Sequence, residues 1–245
     1  MGTFGSHAEE LNKFLKHNSC DRLLLAGDVV DFWALSRHSY FPPSHVKVLR
    51  RFLKQKEVIY ILGNHDEVLR KFLPLSLGNI ILCNEFIHET RDGKRYLVIH
   101  GDGFDSIIQC APWLAWIGDI GYTVLLQINR WLNYVRKLCR LPYWSLSATV
   151  KARVKSAVNY IGNYEIAISH AAAARQVDGV ICGHIHHAEI RDFDNIRYIN
   201  TGDWVESMTA IVENFDGSLD LLRWQDTAPA FAPAEHDGYD PSVTI

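Results

Sequence analysis

The sequence predicts an α/β fold, and three observations lead there. Short apolar runs without polar alternation read as strands buried on both faces: Leu23–Ala26, Val58–Leu62, Tyr96–Ile99 and Val180–Cys182. Apolar residues at helical spacing precede each of the first two runs, at 8–17 and 44–56. At 245 residues and 48% hydrophobic composition, the chain can bury one large core.

Taken in order, a helix over 8–17 leads into a strand at 22–26, and a basic amphipathic helix over 44–56 into a strand at 58–62. Strands follow at 80–83, 85–89 and 95–99, with Arg91-Asp92-Gly93-Lys94 as the hairpin signal between the last two. From Asp105 to Arg175 the chain changes character, becoming helical in pattern and rich in Trp and aliphatics. Strands resume at 179–182, 197–200, 209–213 and 218–222. The expected organisation is one domain over 1–225 with a helical insertion at about 105–175, then a flexible Ala/Pro-rich tail over 226–245.

A net charge of −3 gives no overall field that would draw the chain to nucleic acid. The five cysteines are scattered, odd in number and form no CxxC, which fits a reducing, cytoplasmic compartment. No basic segment followed by an apolar one marks a secretory signal.

Each of the four apolar runs ends in a side chain able to bind metal. The first meets Gly27-Asp28, the second Gly63-Asn64-His65-Asp66, the third His100-Gly101 and the fourth Gly183-His184-Ile185-His186. Ligands of open α/β sheets bind beyond the carboxyl ends of the strands, so four such ends describe one site. Singly, each motif also reads as an ordinary turn. The last is the most specific, because alternate residues of an extended segment project to one side and make two imidazoles a chelate. Oxygen and imidazole donors without thiolate suit Mn, Fe, Zn or Mg.

Together, Gly27-Asp28-Val29-Val30-Asp31, Gly63-Asn64-His65-Asp66, His100-Gly101 and Gly183-His184-Ile185-His186 resemble the calcineurin-like metallophosphoesterases, over roughly residues 5–225. The resemblance implies a β-sandwich flanked by helices, four layers in αββα order, and two divalent ions, Mn first among the metals. It implies that Asp28 bridges both ions, that Asn64, His100 and His184 hold the second, and that His186 binds the first. His65 would contact the phosphoryl group or assist the leaving oxygen, with Asp66 orienting it. Neutral imidazole ligands need acceptors that fix their tautomer, and Asp31 and Asp102 are the candidates, each equally readable as a turn aspartate. Paired cations would clamp the phosphoryl oxygens and acidify a water for in-line attack.

The family also has a first strand ending in Asp-x-His, and no such motif precedes Asp28. Asp28 and His186 alone are too few ligands for a tight first site. The expectation is therefore an upstream strand carrying the motif, without which the sheet has an unpaired edge.

Tyr143-Trp144-Ser145-Leu146-Ser147, Ala188-Glu189-Ile190 and Gly202-Asp203-Trp204-Val205-Glu206-Ser207 narrow the resemblance to the UDP-2,3-diacylglucosamine hydrolase-like group. That implies a nucleotide-lipid substrate of the lipid A pathway, although His65 stands where the best-known form carries Arg. The insertion has a long apolar series from Ile107 to Val135, broken at Gly118-Asp119, followed by basic residues from Arg130 to Lys155. It reads equally as helices packed on the core or as an apolar face toward a lipid or an anionic membrane surface. Trp204 could stack in the core or under a base. Two other functions stay open: a phosphodiesterase acting on soluble nucleotides or DNA ends, and a metal-poor scaffold. Oligomeric state is not legible.

Overall fold

The computed structural model describes residues 1–107 and 161–227. Most of the insertion and the tail beyond 227 lie outside these residues, including the apolar series to Val135, the 143–147 motif and the basic stretch.

A four-stranded sheet has the order β1 (Leu23–Ala26), β2 (Val58–Ile61), β4 (Ile80–Cys83), β3 (Leu75–Leu77). A five-stranded sheet runs β5 (Glu85–Glu89), β6 (Arg95–Ile99), β7 (Gly179–Cys182), β9 (Ile196–Asn200), β8 (Glu189–Phe193). A separate hairpin pairs β10 (Thr209–Glu213) with β11 (Leu219–Arg223). Alternation along the buried strands sorts side chains into layers. Ile59 and Ile61 of β2 face Tyr96 and Val98 of β6, Ile181 of β7 and Ile199 of β9, which makes the seam between the sheets. Opposite faces carry helices. Phe14 and Leu15 of α1 (Ala8–His17) and Val48 and Phe52 of α3 (Pro43–Phe52) cover the first sheet with Val58. Tyr164, Ile168 and Ala172, from the helix whose described part is 161–174 (α4), cover the second with Leu97, Val180 and Tyr198. This is the four-layer αββα sandwich.

The differences from the sequence reading have local causes. Helix α3 stops at Phe52 rather than at 56, because Lys54 and Gln55 donate to carbonyls only three residues back. The Asn79 amide donates to the Phe52 and Gln55 carbonyls at 2.8 and 2.9 Å and closes the helix end. A short helix α2 (Phe32–Arg37) stands between β1 and α3, where the sequence reading has no element, its first turn capped by Asp31, which accepts from the Ala34 amide at 2.8 Å. Strands β3 and β8 were not anticipated. Both are edge strands, short or charged, and carry no apolar run. Strand β1 ends the four-stranded sheet with all four residues half-buried, whereas β2 beside it is fully buried.

Candidate metal centre

Strands β1 and β2 are parallel, as are β6 and β7, and their carboxyl ends converge. Beyond those ends the backbone turns sharply. Asp28, His184 and His186 all lie in the left-handed region, at φ 53, 69 and 55°. Such conformations are uncommon for residues with a Cβ and collect at functional sites. The adjoining glycines allow the close approach. A Cβ on Gly27, itself at φ 90°, would overlap the His100 imidazole, and one on Gly63 would overlap the Asp28 carboxylate.

Four donor atoms meet here. His100 Nε2 lies 3.2 Å from Asp28 Oδ2, 3.2 Å from Asn64 Oδ1 and 3.3 Å from His184 Nδ1. The outer nitrogens fix the tautomers. His100 Nδ1 donates to the Ala26 carbonyl at 2.7 Å, so Nε2 keeps its lone pair. His184 Nε2 donates to Asp105 at 2.7 Å, so Nδ1 keeps its own. Two lone pairs, an amide oxygen and a carboxylate oxygen thus meet. A divalent cation, or a proton shared by His100 and Asp28, relieves that arrangement, and among the described residues Asp28, His100 and His184 form a compact group able to hold a metal ion. The donor set fits a divalent ion. His186 is arranged alike: its Nδ1 donates to Asp203 at 2.9 Å, freeing Nε2.

His65 sits at the edge of this cluster. Its Nδ1 bonds Asp31 at 2.9 Å, its ring leans on Trp33 and its Nε2 is 4.0 Å from Asp28 Oδ2. Its backbone amide donates to Asp28 Oδ1 at 2.9 Å, which helps aim that carboxylate.

Three expected roles are redistributed. Asp66 does not orient His65. It is fully buried and accepts from the Val29 and Val30 amides at 3.1 and 2.9 Å, pinning the loop that carries Asp28. Asp31 holds the His65 imidazole instead. Asp102 bonds Arg70 at 2.7 Å rather than a ligand imidazole. Asp105 and Asp203 serve His184 and His186, and neither was singled out in the sequence as an imidazole partner. Asp203 was visible only as part of Gly202-Asp203-Trp204, and Asp105 marked the insertion boundary. Trp204, partly buried, packs against Phe14 of the core, with ring centroids 5.2 Å apart and planes tilted by 48°. His45 is buried, taking the Gly2 amide on Nδ1 at 3.0 Å.

The electrostatics express the same demand for positive charge. Burial raises the Asp28 pKa, yet His100 and the His65 amide outweigh it and the net shift is downward. Burial lowers His100, but Asp28 carries it above its ordinary value. Proton and metal therefore compete for this pair. Asp66 is pushed up, first by burial, with the Asp28 charge adding to it.

The profile of the calcineurin-like phosphoesterase family matches residues 1–188. No curated protein matches the chain. Among solved structures, an archaeal phosphodiesterase is similar at 12% identity, TM-score 0.43, over 89% of this chain and 93% of its own. A predicted phosphoesterase from Streptococcus pneumoniae is similar at 10% identity, TM-score 0.37, over 90% and 84%. Zinc-bound Vps29 from Entamoeba histolytica is similar at 14% identity, TM-score 0.36, over 88% and 85%.

Proposed function

The chain belongs to the calcineurin-like phosphoesterase family and is a phosphoester hydrolase, and we propose that it cleaves the pyrophosphate of a UDP-2,3-diacylglucosamine-type nucleotide-lipid with two divalent ions, Mn in the first place. The observation that carries the metal part is the convergence of Asp28 Oδ2, Asn64 Oδ1 and His184 Nδ1 on His100 Nε2. These four residues would hold one ion. Asp28 would extend to the other, beside His186. When bound, the ions supply positive charge at the phosphoryl oxygens and acidify a water.

The chain's own residues do the rest. Hydrolysis joins a water oxygen to phosphorus and breaks the bond from phosphorus to the leaving oxygen. His65 offers Nε2 at the site edge: it would pass a proton to the leaving oxygen and regain one, through solvent, from the water that attacks, so that the ring ends as it began. Asp31 keeps the ring turned that way by holding Nδ1. Asp66, through the Val29 and Val30 amides, keeps Asp28 in reach.

The lipid part rests on the group resemblance and on the apolar, then basic, composition of the insertion. No helix among the described residues is long and apolar enough to cross a membrane. Acyl chains would instead meet the insertion at an anionic membrane surface.

The test is hydrolysis by the Mn-loaded protein of bis-p-nitrophenyl phosphate and of acylated and non-acylated UDP-sugars. Asp28→Ala and His184→Ala are expected to abolish turnover with circular dichroism unchanged; full activity in either sinks the assignment. Equal rates on the two UDP-sugars would replace the lipid with a soluble nucleotide substrate.

A further inference from the structure

Beside His65 stands an aromatic ring that the core does not use. Trp33 is 43% exposed and, among the described residues, belongs to none of the apolar clusters. Leaving an indole in water forfeits the burial that usually accounts for a Trp in a folded chain. Its position is nevertheless tightly specified. The Trp33 and His65 ring centroids are 4.4 Å apart, with the planes tilted by 39°. Asp31 Oδ1 accepts both from the Ala34 amide of helix α2 and from His65 Nδ1, which locks the helix carrying Trp33 to the imidazole. The Phe32 amide donates to the His65 carbonyl at 3.3 Å, a second tie between the same segments. The Ser36 hydroxyl closes the turn onto the Trp33 carbonyl at 2.8 Å. The result is a half-exposed indole on an anchored helix, its ring beside the side chain proposed to serve the leaving oxygen.

We propose that Trp33 is the stacking platform for the nucleobase of the substrate. A base has a flat face that stacks on indole without any sequence of hydrogen bonds to satisfy, and preorganisation of the ring lowers the entropy lost on binding. A nucleotide carries its base one ribose away from its phosphate. Trp33 lies one imidazole out from the cluster: its ring centroid is 4.4 Å from that of His65, whose Nε2 is 4.0 Å from Asp28 Oδ2. The inference rests on the hydrolytic reading of the site, and it assigns the nucleotide half of the substrate to helix α2, leaving the lipid half to the insertion.

The test is calorimetric binding of UMP and of ribose 5-phosphate to the Mn-loaded protein. The two ligands share the phosphate and sugar and differ in the base. Stacking is expected to make UMP bind about tenfold to hundredfold tighter in the wild type. Trp33→Ala should collapse that ratio toward one, and Trp33→Phe should restore most of it. A role confined to positioning His65 would leave the ratio intact, and that result overturns the proposal. So does a wild-type ratio near one, or no binding of either ligand. The two readings fail separately. A Trp33-dependent ratio without hydrolysis of acylated UDP-sugars keeps the platform and removes the lipid substrate. Hydrolysis with a Trp33-independent ratio does the reverse.

Discussion

Replacing Gly27 with alanine removes no ligand, yet it should damage the metal centre. Gly27 holds φ at 90°, a region that costs a residue with a Cβ about 1–2 kcal/mol. The added methyl would also occupy the space of the His100 ring, with backbone fixed on both sides in β1 and β6. The imidazole has to swing away, and its bond to the Ala26 carbonyl, 2.7 Å long, is lost. That bond contributes about 0.5–1.5 kcal/mol. Together the terms give about 2–3 kcal/mol, or a fall in Tm of about 5–10 °C for a domain of this size. Because His100 Nε2 leaves the cluster, Mn or Zn affinity should drop about tenfold to hundredfold, as when the groups that orient a ligand are removed. Thermal melts and metal titration calorimetry on Gly27→Ala read the two quantities independently. Wild-type affinity with an unshifted melt would mean that His100 is not held by this contact, and the geometric account of the Gly-Asp motif would be wrong.

Other substitutions test the neighbouring interactions. Asp31→Asn keeps an oxygen for the helix cap but loses the charge facing His65, so kcat should fall about tenfold to hundredfold with bound metal unchanged, as measured by steady-state kinetics and metal analysis. Arg191→Met strands the fully buried Glu165, which it bonds at 2.9 Å. Because Arg191 itself is half exposed, the loss is discounted to about 2 kcal/mol in urea unfolding, and adding Glu165→Gln should recover most of it. Asp92, in the β5–β6 turn, is held at a pKa of about 2 by Lys94 and then Thr90. A depressed carboxyl stabilises above its ordinary pKa and loses that contribution as pH falls through the folded value. The stability difference between wild type and Asp92→Asn should therefore be full above about pH 4 and shrink toward pH 2. Carboxyl NMR should show Asp92 titrating near the bottom of that window, and titration at the ordinary value would remove the effect.

The strand ends were legible because they announce themselves twice, as apolar runs buried on both faces and as ligand side chains immediately after them. Asp28, Asn64, His100 and His184 could be named for that reason, and the structure brings their donor atoms to one point. What the sequence concealed were partners set by tertiary approach. Asp66 and Asp31 both flank motif residues, and nothing in their spacing says that the nearer one, Asp66, turns under the β1 loop while Asp31 reaches His65. Asp105 and Asp203 meet their imidazoles across 79 and 17 residues of chain. Helix α2 was hidden because six residues are too few to show a period, although Asp31 before an apolar stretch was a cap signal in plain sight. Edge strands β3 and β8 carry no apolar run and so gave no signal.

The site departs from local backbone preference where its chemistry is densest, and the departures share one cause. An imidazole whose outer nitrogen is bonded to a fixed acceptor has a lone pair of set direction, so its inner nitrogen reaches the centre only if the backbone brings it there. His184 and His186 are therefore held in left-handed turns that extended strands would not adopt, and Asp28 likewise. The anchors resisting relaxation are the Ala26 carbonyl, Asp105 and Asp203, each on a different segment from the imidazole it holds. Removing one anchor would free a ring to rotate and let two lone pairs separate. With all three in place the repulsion persists until a cation takes it up. The strained turns and the carboxylates behind the imidazoles thus form one device, which converts folding free energy into a cluster of donors already aimed at a divalent ion.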